Sequence, residues 1–223
     1  MITDPKLDTK QRLFKAAIEV FAAKGFQGAT VRAICERAEA NVAAINYHYQ
    51  DKEHLYAQVL EHIFRSPRTN FGALRPDLSG ATPEERLREF IFNFFHEVYD
   101  CGEDEEQCAN LAAIYLMEMA HPSPKLDDIV EQYIRPDSEV LNDIIRDYFG
   151  PGYSADLRGY CVGAVIAQAL NYCTTGPIIE RLHPGEGFRP EMIEPLAELA
   201  FQFTIGGMAR FKSLPQISPA PLK

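Results

Sequence analysis

An all-α protein is predicted from three observations. Apolar residues recur at helical spacing along nearly the whole chain. No segment shows the alternating pattern of a half-buried strand. Glycine and proline fall at the ends of the periodic segments. The expected architecture is an N-terminal three-helix domain holding a helix-turn-helix, then a larger helical bundle. The boundaries read as residues 1–56 for the first domain, 57–212 for the second and 213–223 for a disordered tail.

The first helix is expected from Asp8 to Lys24, with Leu13, Ala17, Val20 and Phe21 on one face and Asp8 or Thr9 as cap. Gly25 stops it. Thr30 caps a short second helix that turns Val31, Ile34, Cys35 and Ala38 inward. After a tight turn, Asn41 caps a third helix to Tyr47. Asp51 opens a fourth, with Leu55, Val59 and Ile63 along its inner face, ending before Ser66-Pro67. Residues 66–82, with two prolines and two glycines, form the expected linker.

A long amphipathic helix follows from Pro83 to Tyr99, carrying Leu87, Phe90, Ile91, Phe94, Phe95 and Val98. The acidic run Glu103–Glu106 starts the next helix, where the helix dipole favours negative charge, and His121-Pro122 ends it. Residues 125–149 read as helix with a break at Pro136. Residues 154–176 read as one apolar helix ending at Gly176-Pro177, and a last helix spans Pro190 to Lys212.

The net charge is −10, which by itself argues against a polyanionic partner. Its distribution alters that reading. Residues 1–56 carry eight Lys/Arg and seven Asp/Glu, a net +1, and the remaining chain carries −11. A near-neutral head on an acidic body can bind phosphates if its cations face one way. No apolar run reaches the roughly 20 residues of a membrane span. The N-terminus lacks a signal-peptide pattern. Five scattered cysteines with no CxxC pair point to free thiols in a reducing cytoplasm.

Catalytic motifs are missing: no HExxH, no GxSxG, no Gly-rich phosphate loop. Glu118 and His121 make one Glu-x-x-His, whereas a di-metal bundle needs two plus further glutamates. No metal and no cofactor are expected, and a helical metal- or small-molecule-binding enzyme or sensor stands as the alternative.

The second short helix, Asn41 to Tyr49, has the make-up of a recognition helix. Ala43 and Ala44 permit close approach, Ile45 and Tyr49 can face the core, and Val42, Asn46 and Tyr47 can face outward. Lys52 sits on the opening turn of the next helix, where free backbone N–H groups favour a phosphate.

These residues, with Thr9-Lys10, Phe21-Ala22-Ala23-Lys24-Gly25-Phe26, Thr30-Val31-Arg32-Ala33-Ile34 and Lys52-Glu53-His54-Leu55, resemble the TetR family of bacterial transcriptional regulators. The resemblance implies a homodimer that binds a palindromic operator and is released by a small-molecule effector. It implies phosphate contacts by Thr30, Arg32, Tyr47, His48 and Lys52, and base contacts by Val42, Ala43 and Asn46. Asparagine suits a bidentate contact with adenine, so Asn46 is the expected base reader. The family's turn glycine is Glu39 here, which can adopt the turn only with strain.

Glu118-Met119-Ala120-His121-Pro122, Ile134-Arg135-Pro136 and Gly176-Pro177-Ile178-Ile179 are similar to the CecR-like branch, some members of which respond to drug-like compounds. The expected effector contacts are Phe94, Asn93, His96, Tyr115, Glu118, Gln168, Asn171 and Tyr172: the aromatics could line a pocket, and the polar Asn93, His96, Glu118, Gln168 and Asn171 on apolar helices need a partner. Small residues in Gly159–Thr174 and Ala197–Phe211 suit close packing of helices across a dimer interface.

Overall fold

The computed structural model describes residues 8–64, 80–100, 104–185 and 187–214. The expected linker and tail lie mainly outside these. Every regular element among the described residues is helical. The chain forms two compact units, one of residues 1–65 and 101–133, the other of residues 66–100 and 134–223. The head thus groups with a stretch well beyond residue 56.

The first unit contains α1 (Thr9–Gly28), α2 (Val31–Arg37), α3 (Val42–Tyr49), α4 (Lys52–Phe64), α6 (Glu105–Ala120) and α7 (Leu126–Ile129). Asp8 caps α1 through a capping box with Gln11. Gly25 adopts φ 65°, which a side chain would resist, and kinks the helix where the sequence marks its stop. Thr30 accepts from the Ala33 N–H and Asn41 from the Ala43 N–H, so the two short helices start at their expected caps. Leu13, Ala17, Phe21, Ile34, Ile45, Leu55 and Val59 are buried. Helix α6 packs along α1 and also meets α4.

The second unit contains α5 (Pro83–Tyr99), α8 (Arg135–Phe149), α9 (Ala155–Ala169), α10 (Asn171–Leu182) and α11 (Ile193–Ser213). Its core joins Leu87, Phe90, Ile91 and Phe95 of α5 to Leu141, Ile144 and Ile145 of α8, Val165 of α9 and Ala197 of α11. At Pro136 the helix is not broken. A single π turn, Val130–Ile134, precedes α8, and Pro136 falls in the first turn of α8, where its missing N–H costs nothing.

The single helix expected over 154–176 is two. Helix α9 ends at Leu170, where the Tyr99 hydroxyl donates to the Ala169 carbonyl at 2.5 Å and satisfies a helix-end acceptor. Helix α10 then runs through Pro177. Thr174 and Thr175 hydroxyls donate back to the carbonyls of Leu170 and Asn171 within this helix. The cysteines also depart from expectation. Cys35, Cys161 and Cys173 are free, but Cys108 is disulfide-bonded. Sequence spacing carries no information on whether two thiols approach closely enough to bond.

Candidate nucleic-acid interface

Helix α3 divides cleanly into two faces. Ile45 is fully buried and Tyr49 nearly so. The Tyr49 hydroxyl donates to the Lys10 carbonyl at 2.7 Å, fixing α3 against α1, and burial pushes that hydroxyl's pKa up to about 12. On the opposite face Val42 is 48% exposed and Tyr47 84% exposed, with Ala43 and Asn46 exposed between them. The ring of half-buried His48 packs edge-on against Tyr47, with centroids 4.8 Å apart. Two apolar side chains hold the helix, and the row it presents is small, polar or aromatic. That row needs no internal partner.

The turn between α2 and α3 depends on Glu39, at φ 50°. The left-handed angle expected to strain a non-glycine residue is therefore present. The turn is held by the Ala40 N–H bonding to the Cys35 carbonyl at 2.9 Å and by Arg12 Nε donating to the Ala38 carbonyl at 3.3 Å. Thr30 is exposed at the start of α2. Exposed Arg32 pairs with Glu36 at 2.8 Å, so its guanidinium must exchange a neighbour to meet a phosphate.

Lys52 has a role that its position in the sequence does not suggest. Its Nζ donates to the carbonyls of Phe26 and Ala29 at 2.9 and 3.0 Å and lies 4.4 Å from the centre of the Phe26 ring. It ties the start of α4 to the end of α1, and one of its three donors is left over. Asp51 caps α4 through the His54 N–H, and that bond holds its carboxyl below the usual range.

A second feature of this unit escaped sequence reasoning. Glu118, 1% exposed, accepts from the Tyr56 hydroxyl at 2.8 Å and from the N–H and hydroxyl of Ser123 at 2.9 and 2.8 Å. Tyr56 in turn packs its ring against Phe21 and Phe26. A buried carboxylate in α6 thus clasps α4 and the turn before α7. A buried tyrosine and a glutamate on otherwise apolar helices were the available signal, but nothing in the sequence paired them.

The eight expected effector contacts divide between the units. Tyr115, which packs against Phe64, and Glu118 belong to the first, whereas Asn93, Phe94, His96, Gln168, Asn171 and Tyr172 belong to the second. Several already have protein partners. Asn93 donates to Glu89 at 3.2 Å, His96 meets Glu194 at 2.6 Å, and Gln168 donates to Thr204 and to the Ala164 carbonyl, both at 3.1 Å. Tyr172 lies against Phe188. No group of three or more His, Cys, Asp or Glu side chains among the described residues could hold a metal ion.

A buried three-helix scaffold presenting one short helix with an outward polar row defines a helix-turn-helix protein. Comparison with known proteins extends this. Residues 13–59 match the family described as bacterial regulatory proteins, tetR family. Residues 83–208 match the C-terminal domain of the HTH-type transcriptional dual regulator CecR. The transcriptional repressor NicS of Pseudomonas putida is 39% identical over 90 residues, which are 39% of this chain and 42% of NicS. The probable transcriptional regulator YttP of Bacillus subtilis is 22% identical over 142 residues, 64% of this chain and 65% of YttP. The matched regions therefore span less than two thirds of either relative. In fold, the chain is similar to the transcriptional regulator FadR from Bacillus subtilis, solved in complex with stearoyl-CoA. The TM-score is 0.61 at 15% identity, covering 88% of this chain and 97% of that one. The chain belongs to the TetR family, with a C-terminal domain of the CecR type. Proteins of this family regulate transcription and are not enzymes.

Proposed function

We propose that this chain is a ligand-responsive repressor that binds a palindromic operator as a homodimer and leaves it when a small molecule occupies the second unit. The observation that carries the reading is the outward row of α3: Val42, Ala43, Asn46 and Tyr47 exposed over buried Ile45 and Tyr49. Asn46 has the donor–acceptor pair that matches adenine in the major groove. Thr30, Arg32, Tyr47, His48 and the spare donor of Lys52 are assigned to phosphates.

The dimer is supported by the outer faces of α9 and α11, which pack together within the second unit. Around Gly159, Gly163, Gly206 and Gly207 a Cβ would meet nothing within 4 Å. Beside them Tyr160, Leu199, Phe203 and Phe211 are exposed, at 49% to 69%. Large apolar side chains in water beside bare backbone suit close helix packing against a second copy. Asn93, Phe94, His96, Gln168, Asn171 and Tyr172 remain the proposed effector contacts. The clasp of Glu118 by its protein partners makes that residue a poorer candidate, and Tyr115 lies in the same unit as Glu118. No helix among the described residues is long and apolar enough to cross a membrane.

The test is a gel shift of the purified protein with the gene's own upstream region at low salt. A retarded band that survives excess non-specific competitor supports the reading, and no band with any intergenic fragment overturns it. For the dimer, Phe203→Glu is expected to halve the mass measured by light scattering. It should also abolish binding to the full site, because each half-site alone is held weakly.

A further inference from the structure

The second unit contains a carboxylate that nothing in the proposed function uses. Glu97 lies near the C-terminal end of α5, and its Oε2 is buried without a hydrogen-bond partner among the described residues. Across the α5–α8 packing stands Asp137, half-buried in the first turn of α8 directly after the π turn, close enough to act electrostatically on Glu97. Leaving one buried carboxylate unpartnered beside another is costly, since like charges repel and neither is fully hydrated.

Several other charges on the elements packed against α5 have partners of their own, among them Arg146 with Asp143 on α8 at 2.6 Å. On α8, Asp147 pairs with Arg86 at 2.8 Å. On α11, Glu194 meets His96 and Glu198 pairs with Arg88. On α9, Arg158 donates from Nη1 to the Tyr153 carbonyl. No cation among the described residues bonds the buried Glu97 Oε2, and holding a proton relieves its penalty.

We infer that Glu97 and Asp137 form a proton-operated latch between α5 and α8, in which a protonated Glu97 lets the two helices pack and its ionisation loosens them. Burial, and then the Asp137 charge, push the Glu97 carboxyl up to about 8, and burial pushes Asp137 up to about 6. An acid that holds its proton more tightly folded than unfolded stabilises the fold fully at low pH, below its unfolded value. That stabilisation drains away as pH rises through the folded value. For Glu97 the draining runs from the ordinary carboxylate range up to about 8, so it crosses neutrality. The Asp137 contribution is spent by about pH 6. Near pH 7 the pair therefore carries one negative charge, and mild alkalinity adds a second inside the packing.

The test follows thermal unfolding of the full chain from pH 6 to pH 9 at constant ionic strength, for wild type, Glu97→Gln and Asp137→Asn. The wild type is expected to lose about a hundredfold in its folding equilibrium constant over that range, because roughly two decades of the loss fall between pH 6 and the folded value of about 8. Glu97→Gln should lose most of this dependence. Asp137→Asn should move the loss to lower pH, because removing the neighbouring charge eases ionisation. Parallel pH profiles for wild type and Glu97→Gln would overturn the inference. If Glu97→Gln fails to fold, carboxyl-carbon NMR of the wild type decides. A Glu97 midpoint well above the ordinary carboxylate range supports the latch, and a midpoint within that range refutes it.

Discussion

Removing the Tyr56 hydroxyl should weaken the first unit more than any other loss of a single atom. In Tyr56→Phe the ring still packs on Phe21 and Phe26, with centroids at 4.8 Å, so no cavity of consequence is made. What changes is Glu118. Its carboxylate, 1% exposed, loses the 2.8 Å bond to Tyr56 and keeps only those from Ser123. A hydrogen bond to a charged group contributes about 1.5–3 kcal/mol, and the buried oxygen has no water to replace it. A loss of about 2 kcal/mol corresponds to roughly 4–8 °C in Tm for a chain of this size. Glu118→Leu should cost more, because it strands the buried Tyr56 hydroxyl together with the N–H and hydroxyl of Ser123. The double variant removes both ends of the Tyr56–Glu118 bond, leaving only Ser123 stranded, and should cost less than the sum by about 1–2 kcal/mol, as expected of groups in direct contact. Circular dichroism melts of the four proteins suffice. Strict additivity, or a Tyr56→Phe shift below about 1 °C, would refute the account of the clasp.

Three other predictions concern the head. Asn46→Ala should cost about 1–3 kcal/mol at the operator and leave non-specific binding unchanged, measured by fluorescence anisotropy with specific and scrambled duplexes. Lys52→Met should lower Tm, because Nζ holds the Phe26 and Ala29 carbonyls. It should also reduce the slope of log K against log salt by about 1, if its third donor meets a phosphate. Glu39→Gly relieves a left-handed residue at φ 50° and should raise stability by about 0.5–1 kcal/mol in urea unfolding, with operator affinity rising as a negative charge leaves the turn.

Local chemistry made much of the first unit legible. Thr30, Asn41 and Asp51 cap where they are expected to, and Gly25 bends the chain at its predicted stop. The alternation of buried Ile45 and Tyr49 with exposed Val42, Asn46 and Tyr47 follows from helical spacing alone. What the sequence did not disclose depends on groups that meet across the fold. The break at Leu170 goes with a hydroxyl contributed by Tyr99, seventy positions away. The inward placement of Lys52 follows from two carbonyls of α1, and that of Glu118 from Tyr56, sixty-two positions earlier. Pro177 falls inside α10, a helix with no buried residue, so neither periodicity nor a breaker marks its limits. The same polar residues that suggested an effector site are in part satisfied by such distant partners, which is why spacing could nominate them but not assign them.

The most direct test of the central claim is a nuclease footprint of the chain on its own upstream DNA. The account predicts two protected half-sites related by two-fold symmetry, with centres one helical turn, roughly 34 Å, or somewhat more apart. The protection should disappear with Asn46→Ala while that variant remains folded. Protection without two-fold symmetry, or an unchanged footprint with Asn46→Ala, would contradict it.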